Sequence, residues 1–449
     1  MIAPARLAAY DTLLAVEARR ADLPSALARA RQRLPDDRDR ALAGEIATGA
    51  IRWQAASDHL VRQFSSRPPE KLDREVLTIL RLGIFQLLHL DRVPASAVVD
   101  DAVELTRKAG KRSAAGFVNA LLRRVSRERA RLPLPDAPPI DLLAITLSHP
   151  RWLAERWLAR HGAADAARWA RFDNTPAALT LRVNTLITTR DALARDLAAA
   201  GVDTEAARFA DHALIVTAGN PLLTPLAGTG AFVVQDEASQ LVGMFAAARP
   251  GERILDACAS PGGKTTQMAA ATRDQGMVVA ADVRGRRLDL LTRAVVVSGA
   301  RSIRVVQADA RGAPPYRAAF DAVLVDAPCS GLGTIRRDPD VRWRREAADL
   351  PVLADAQRAM LDHLAQVVVP GGRLVYSTCS SEPEENEAVV ATFLDAHRDF
   401  RRETPEAFAS RADLAALLDP DGALKTLPFR DGLEAFYAAT LRRADGVNY

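Results

Sequence analysis

The residues best suited to covalent chemistry are two of the three cysteines in the chain. Cys329 lies in DAPCSGLG (326–333) and Cys379 lies in YSTCSSEPEEN (376–386). Each follows directly after a predicted strand, and the carboxyl ends of parallel strands share one edge of a sheet. A lone buried cysteine is more often a small apolar side chain than a nucleophile. Two cysteines at neighbouring strand ends, each flanked by small polar residues, favour a reactive pair.

A second motif predicts a nucleotide-like ligand at the same edge. The segment ILDACASPGGKTTQMA (254–269) reads as a strand, a glycine-rich turn and a helix. Gly262 and Gly263 permit a close backbone approach, and the helix that follows offers free N–H groups. Asp282 ends the next predicted strand, where a doubly wound fold binds ribose hydroxyls.

Two ligands fit this pattern. PGGKTT resembles the end of a P-loop, but the first glycine of that motif would fall at Cys258. The alternative is S-adenosylmethionine, with its ribose on Asp282. Asp309 and Asp326 end two further predicted strands, and acids in this register suit a polar, cationic ligand. The competing interpretation is that these aspartates only cap helices or begin turns.

A thiolate beside a methyl donor has a specific use in pyrimidine chemistry. Carbon 5 of a pyrimidine is a poor nucleophile, and attack of sulfur at carbon 6 pushes electron density onto it. The attacking cysteine must be deprotonated, which requires surroundings that lower a thiol pKa of roughly 8.5. Methylation of oxygen or nitrogen would need no such sulfur. From chemistry alone, either Cys329 or Cys379 can be the nucleophile.

An arginine-rich segment follows Cys329. Residues 336–345 contain five arginines, namely Arg336, Arg337, Arg342, Arg344 and Arg345. They suit contacts with RNA phosphates, and Trp343 among them suits stacking on a base. The alternative is a charged surface around a packed tryptophan.

The elements that must position these residues change along the 449-residue chain. Residues 4–130 read as helices, with apolar residues at steps of three and four, and they end in a proline-rich linker at 132–139. Residues 1–140 hold 24 Lys and Arg against 17 Asp and Glu. This surplus indicates either a polyanion partner or only a solvated helical surface.

The rest of the chain alternates between strands and helices. From about residue 150 the pattern predicts a small α+β unit, with strands at Leu179–Asn184, Ala213–Thr217 and Ala231–Gln235 and a helix at Thr188–Ala200. Beyond it, strands are predicted at Arg253–Ala257, Met277–Asp282, Ile303–Ala308, Phe320–Asp326 and Arg373–Thr378. The intervening helices are predicted at Thr265–Ala271, Arg286–Val297 and Leu350–Val368. This order favours a doubly wound parallel sheet.

Composition narrows the location of the protein. Three distant cysteines fit a reducing cytosol and give neither a disulfide framework nor a cysteine-based zinc site. No metal site is predicted from the scattered histidines either. No apolar run is long enough to span a membrane, and the first residues lack the pattern of a signal peptide. We therefore expect a soluble, cytoplasmic protein.

At this point the motifs resemble a known family. The core resembles the RNA cytosine-C5 methyltransferases through the strings VQDEAS (234–239), LDACASPGGKTTQMA (255–269), VDAPCSGLGTIRRDPDVRW (325–343) and LVYSTCSSEPEENE (374–387). The first third resembles the NusB-type RNA-binding domain through TGAIRW (48–53), ILRLGIFQLLHLDRVP (79–94) and GFVNALLRR (116–124). That pairing is typical of the RsmB (Sun/Fmu) family, bacterial enzymes acting on small-subunit ribosomal RNA.

The resemblance implies a multidomain architecture. Residues 1–138 would form an all-α NusB-like domain, and residues 145–233 a small α+β domain like an RNA-recognition fold. Residues 234–449 would form a Rossmann-like class I methyltransferase domain. The implied partner is RNA, namely 16S ribosomal RNA, bound by a monomer. The alternatives are a transfer RNA cytosine-C5 methyltransferase and a non-catalytic NusB-like RNA-binding factor.

The resemblance also assigns site residues. Cys379 matches the attacking nucleophile and Cys329 the cysteine that assists product release. Asp326 and Lys264 complete the implied catalytic group. The implied contacts with S-adenosylmethionine are Cys258, Ala259, Ser260, Pro261, Gly262, Gly263, Lys264, Asp282, Asp309 and Asp326. One departure is Ser260, where the family more often has alanine.

Overall fold

The computed structural model describes residues 2–65, 67–313, 315–316 and 320–445. Residues 1 and 446–449, the outer ends of the first and third predicted domains, lie outside the described residues. Among the described residues, no helix is both long and apolar enough to cross a membrane.

The helices are numbered in chain order. They are α1 (Pro4–Glu17), α2 (Leu23–Arg31), α3 (Asp37–Arg52), α4 (Gln54–Phe64), α5 (Arg74–His89), α6 (Ala95–Lys108), α7 (Ala115–Glu128), α8 (Pro139–Asp141), α9 (Arg151–Asp173), α10 (Arg190–Ala199), α11 (Glu237–Phe245), α12 (Gly263–Ala271), α13 (Gly285–Ser298), α14 (Val341–Arg344), α15 (Asp349–Ala365), α16 (Glu387–Ala396), α17 (Glu406–Ser410), α18 (Ala412–Ala415) and α19 (Pro428–Asp431).

The strands are numbered in the same way. They are β1 (Thr180–Val183), β2 (Asp203–Ala206), β3 (Ala213–Ala218), β4 (Phe232–Val234), β5 (Arg253–Asp256), β6 (Met277–Asp282), β7 (Ile303–Gln307), β8 (Phe320–Asp326), β9 (Val368–Thr378), β10 (Phe400–Glu403), β11 (Leu424–Lys425) and β12 (Tyr437–Arg443).

The chain divides into two compact units. The helical unit holds residues 1–176 together with 335–347, and the sheet unit holds 177–334 together with 348–449. This division places α9 in the helical unit, whereas the predicted α+β domain begins at residue 145. The predicted domain boundaries therefore stay predictions.

The helical unit is built on amphipathic helices, as their apolar spacing predicts. Helices α1 to α7 bury their apolar stripes in one cluster that includes Leu13, Ile46, Leu80 and Leu122. Helix α9 is interrupted at Gly162, whose φ of 74° and ψ of 171° are not helical. Glycine suits this position because a Cβ makes a positive φ costly.

The small sheet at the start of the sheet unit is entirely antiparallel, with the strand order β2-β3-β1-β4. The sequence predicts β1, β3, β4 and helix α10 to within a few residues, but it does not predict β2. Strand β2 is short and mostly exposed, so it lacks the alternation that would reveal it.

The large sheet has the order β10-β12-β9-β8-β5-β6-β7, and β11 pairs with β12. Its centre, from β9 to β7, is parallel. Successive residues of the central strands pack on opposite faces: Ile254 and Leu324 enter one apolar cluster, and Leu255 and Val323 enter the other. Burial on both faces explains the continuous apolar runs of these strands.

Two sequence predictions for this sheet are wrong. The sheet is not wholly parallel, because β12 runs antiparallel between β9 and β10. The helix predicted at Leu350–Val368 ends at Ala365. Val368 instead pairs with Phe320 and begins β9, because strand pairing outweighs the helical pattern there.

The strand order places a switch point beside β5. The chain leaves β5 toward β6 on one side, and β8 flanks β5 on the other. In open α/β sheets, ligands bind at the carboxyl edge near such a point. The turns after β5, β6, β8 and β9 all meet at that edge.

Candidate active site

The turn after β5 requires glycine at one position. Gly262 has a φ of 108°, and a Cβ there would lie 3.0 Å from Leu291 Cδ1 and 3.1 Å from Ala294 Cβ. Gly262 immediately precedes α12, and the first backbone N–H groups of a helix have no acceptor within that helix. This cradle fits the polar end of an amino-acid-bearing nucleoside such as S-adenosylmethionine.

Asp256, the last residue of β5, stabilises the turn between β5 and α12. The sequence did not predict this role. The Asp256 carboxylate accepts a hydrogen bond of 2.6 Å from the Thr265 hydroxyl. Burial raises the pKa of Asp256 to about 7, and the nearby Asp326 carboxylate adds to the rise. Asp256 therefore ties β5 to α12.

Asp282 lies where a ribose-binding acid is expected. It ends β6 and is buried, and its carboxylate accepts 3.3 Å hydrogen bonds from the backbone N–H groups of Ser260 and Arg284. A carboxylate has about four lone-pair sites, so acceptor capacity remains for hydroxyl groups. Asp282 thus joins the second strand to the glycine turn.

Asp309 is less clearly part of the site. It follows β7 at the same edge of the sheet, but its side chain is exposed and accepts hydrogen bonds from the Arg311 guanidinium at 2.8 and 3.1 Å. Its contact with the cofactor stays a prediction.

Lys264 and Asp326 form a central ion pair. Lys264 Nζ lies 2.7 Å from Asp326 Oδ2, and Ser377 Oγ donates to Asp326 Oδ1 at 2.9 Å. Burial opposes the charge of Lys264, yet the Asp326 carboxylate and the negative form of Cys379 raise the pKa of Lys264 above its ordinary value. The ammonium is therefore a fixed positive charge beside Cys379.

The structure brings the two predicted cysteines into contact. Cys329 Sγ and Cys379 Sγ are 3.4 Å apart, and both side chains are half-buried. Strands β8 and β9 are parallel neighbours with Asp326 opposite Ser377, so the turns that follow them meet. The N–H of Gly333 donates to the carbonyl of Cys379 at 2.9 Å and links the turns further.

The electrostatics distinguish the two thiols. The hydrogen bond to Cys379, together with burial, raises the pKa of Cys329 well above its ordinary value. Cys329 therefore remains a neutral thiol near neutral pH. The Lys264 ammonium interacts with Cys379.

Cys258 has a different environment. It packs against an apolar cluster on one face of the sheet. Burial, with the charges of Asp256, Asp326 and Asp282, raises the pKa of its thiol. Cys258 is therefore an unreactive thiol in the turn after β5.

The burial of Arg342 contradicts the prediction that this residue binds RNA. Its side chain is fully buried in the helical unit. Its Nη1 donates to the carbonyl of Ser148 at 2.9 Å and to Asn174 Oδ1 at 3.2 Å. Burial lowers its pKa to about 9. The prediction is wrong because an arginine in a basic run can serve as a buried anchor.

The other residues of this segment differ in exposure. The Trp343 indole N–H donates to the Ile51 carbonyl at 2.9 Å, which favours the packed tryptophan over base stacking. The Arg336 guanidinium donates to Pro176 O at 2.6 Å. Arg344 is exposed and pairs with Asp340 at 3.0 Å, while Arg337 and Arg345 are half-buried. RNA contact stays a prediction for these four arginines.

Strand β1 is packed in the interior. Arg182 is buried and donates to Thr266 Oγ1 on α12 at 2.7 Å. Asn184 Nδ2 donates to the carbonyls of Gly230 and Ser298, both at 2.9 Å. The structure favours the packed-strand alternative over direct presentation of substrate by these residues.

Comparison with known proteins identifies the family. A family described as 16S rRNA methyltransferase RsmB/F matches residues 244–442, the NusB family matches 3–127, and the ferredoxin-like domain of RsmF/B-like methyltransferases matches 149–222. The chain is 35% identical to a probable ribosomal RNA small subunit methyltransferase B of Synechocystis, over 98% of this chain and 99% of that protein. The chain belongs to the RsmB/F family.

Other relatives agree with this RsmB/F assignment. The chain is 34% identical to a probable ribosomal RNA small subunit methyltransferase B of Bacillus subtilis, over 91% of each protein. It is 35% identical to the ribosomal RNA small subunit methyltransferase B of Pseudomonas putida, over 97% of this chain and 98% of that one.

Solved structures share the fold. The crystal structure of PH0851 has a TM-score of 0.82 at 24% identity and covers 99% of both chains. A methyltransferase homologue from Pyrococcus horikoshii has a TM-score of 0.59 at 27% identity, over 68% of this chain and 99% of that one. The predicted order is confirmed: a helical NusB domain, a ferredoxin-like domain and an α/β methyltransferase sheet.

Family membership also fixes the class of activity. An RsmB/F chain is a methyltransferase whose cofactor is S-adenosylmethionine, and the Gly262 cradle and the Asp282 carboxylate fit that cofactor. Membership of the RsmB/F family excludes the two alternatives of a P-loop nucleotide-binding protein and a non-catalytic RNA-binding factor.

We predict that Asp282→Asn weakens binding of S-adenosylmethionine. A hydrogen bond to a charged group is worth about 1.5–3 kcal/mol, so the Kd measured by calorimetry should rise about 10- to 100-fold. The matched control is Asp321→Asn, since Asp321 accepts from the Arg253 N–H at the opposite edge of the sheet. An unchanged Kd for Asp282→Asn would contradict the assignment.

We also predict that Arg342→Ala destabilises the helical unit. The Arg342 guanidinium donates to the carbonyl of Ser148 and to Asn174 Oδ1 in the interior. Leaving buried polar groups without a hydrogen-bond partner costs about 1–3 kcal/mol of unfolding free energy. The five tryptophans all lie in the helical unit, so urea unfolding followed by tryptophan fluorescence reports on it alone. The control Arg127→Ala, at an exposed site in the last turn of α7, should leave the midpoint nearly unchanged; equal midpoints for the two variants would refute the anchor role.

Proposed function

We propose that this enzyme methylates carbon 5 of a cytosine in 16S ribosomal RNA through a covalent bond between Cys379 and carbon 6. This proposal rests mainly on the 3.4 Å contact between Cys379 and Cys329, which lies beside the Lys264–Asp326 ion pair. Methylation of oxygen or nitrogen has no use for paired thiols at this position. The names of the relatives, which specify the small ribosomal subunit, support the substrate.

The first step is the attack by sulfur. The Cys379 thiolate, stabilised by the Lys264 ammonium, forms a bond to carbon 6 of the ring, and the electron pair of the carbon 5–carbon 6 double bond moves toward carbon 5. S-adenosylmethionine, when bound, supplies the electrophilic methyl group. Asp326 keeps Lys264 in place and contacts the cytosine from the same side.

The second step is release of the product. After the new carbon–carbon bond forms, the proton on carbon 5 leaves to a base. Its electron pair rebuilds the double bond as the bond between carbon 6 and Cys379 Sγ breaks. Cys329 lies against the departing sulfur as a neutral thiol, so it donates a hydrogen bond to the Cys379 thiolate as that charge returns.

Access to the target requires an unpaired base. The ring atoms of a cytosine in a helix are stacked, so the target lies in a loop or is flipped out. Arg336, Arg337, Arg344 and Arg345, together with the basic NusB-like domain, are proposed to bind RNA phosphates. The NusB match over residues 3–127 and the names of the relatives favour ribosomal RNA over transfer RNA. The proposed working form is a cytoplasmic monomer.

The two cysteines should give opposite phenotypes. Cys379→Ala removes the nucleophile and should abolish methylation of a 16S RNA fragment without forming an adduct. Cys329→Ala retains the nucleophile but slows release, so it should accumulate a covalent protein–RNA adduct, visible as a slowly migrating band on a denaturing gel.

Cys258→Ala is the matched control, since Cys258 is a cysteine of the cofactor turn that makes no proposed bond to RNA. It should form no persistent adduct. Full methylation by Cys379→Ala would overturn the mechanism, and adduct formation by that variant would exchange the roles of the two cysteines.

A further inference from the structure

The Glu385 carboxylate contacts both of the turns that carry the cysteines, the one after β8 with Cys329 and the one after β9 with Cys379. Glu385 is fully buried, in a short helical turn between β9 and α16. Its Oε1 accepts a 2.8 Å hydrogen bond from the backbone N–H of Ser330, the residue after Cys329. Its Oε2 accepts a 2.6 Å hydrogen bond from the hydroxyl of Ser380, the residue after Cys379. One side chain therefore holds both turns.

The surroundings of Glu385 fix its position. Gln357 on α15 donates through Nε2 to Glu385 Oε1 at 3.0 Å and to the carbonyl of Pro328 at 3.0 Å. The Tyr376 hydroxyl donates to the Glu385 carbonyl oxygen at 2.5 Å. A buried carboxylate is costly unless donors satisfy it, and Ser330, Gln357 and Ser380 each donate to this one.

The two serines are also in contact. Ser330 Oγ and Ser380 Oγ are 3.0 Å apart, and each serine directly follows one of the two contacting cysteines in the chain. The backbone N–H of Leu332 donates to Ser330 Oγ at 3.4 Å, and that of Glu382 donates to Ser380 Oγ at 3.1 Å. These hydrogen bonds form a polar layer that joins the two turns carrying the sulfurs.

We propose that Glu385 is a positioning residue that holds Cys329 against Cys379 during release of the methylated RNA. This inference rests on the proposed covalent function and adds a residue to it. Glu385 has no role in the sulfur–carbon bond itself, because its carboxylate is enclosed by protein donors.

Loss of Glu385 affects the two chemical steps to different extents. Both turns have other ties: Asn386 Nδ2 donates to the Ser380 carbonyl at 3.0 Å, and Gln357 donates to the Pro328 carbonyl. Glu385 is the carboxylate that accepts from both Ser330 and Ser380, so its loss loosens the contact between the two sulfurs. Because attack requires Cys379 alone and release requires both cysteines, the loss slows release more than attack.

The test uses Glu385→Ala and Glu385→Gln in the full-length protein. Alanine removes every acceptor. Glutamine keeps an oxygen for the Ser330 N–H and offers its amide to the Ser380 oxygen. Because small displacements of reacting groups cost up to about 100-fold in rate, turnover on a 16S RNA fragment should fall about 100-fold for alanine and about tenfold for glutamine. Both variants should accumulate the covalent adduct and bind S-adenosylmethionine with the affinity of the unmodified enzyme.

Glu384→Ala, at the preceding position of the same turn, is the matched control and should turn over normally without an adduct. Glu385 variants that behave like this control would overturn the inference. So would a loss of turnover in Glu385→Gln that comes with a matching loss of cofactor affinity and no adduct, because that pattern indicates general damage. If the alanine variant does not fold, the glutamine variant decides alone.

The test of the Glu385 role can fail independently of the test of the proposed covalent function. If Cys379→Ala still methylates RNA, the covalent function is wrong whatever Glu385 does. If the cysteine variants behave as proposed and Glu385→Gln matches the control, only the positioning role fails.

Discussion

The parallel pairing of β8 with β9 is the constraint on which the site depends. Asp326 lies opposite Ser377 in this register, so Cys329 and Cys379 emerge from adjacent strand ends. A shift of one residue would turn every side chain of a strand to the other face, and the two sulfurs would no longer meet. The apolar residues that bury both faces of the sheet therefore also fix the geometry of the thiols.

Charge then makes two chemically identical groups different. The Lys264 ammonium, held by Asp326 at 2.7 Å, interacts with Cys379. Contact with Cys379 and burial raise the pKa of Cys329, so it remains protonated. In the proposed mechanism Cys379 attacks and Cys329 assists departure, and the polar layer around Glu385 is proposed to maintain the distance between the two sulfurs.

The sequence predicts the site better than it predicts the surroundings of the site. Strand ends marked by Asp282, Asp326 and Cys379 can be located from apolar runs followed by turn residues, because burial on both faces leaves a plain signal. The antiparallel strand β12 was not predicted, since its partners β9 and β10 are distant in sequence. Arg342 was assigned to RNA because a run of arginines does not reveal which member is buried. Glu385 gives no local signal either, because its donors come from three separate elements.

The central claim is the transient bond between Cys379 and carbon 6, and trapping that bond tests it most directly. With RNA containing 5-fluorocytosine at the target, the ring can accept sulfur and the methyl group, but no proton remains on carbon 5 to leave. Trypsin cuts after Arg and Lys, so Cys379 lies in peptide 374–398 and Cys329 in peptide 318–336. The account predicts that mass spectrometry finds the nucleotide, carrying the transferred methyl group, on peptide 374–398. Attachment to peptide 318–336, or no attachment while ordinary RNA is methylated, would contradict it.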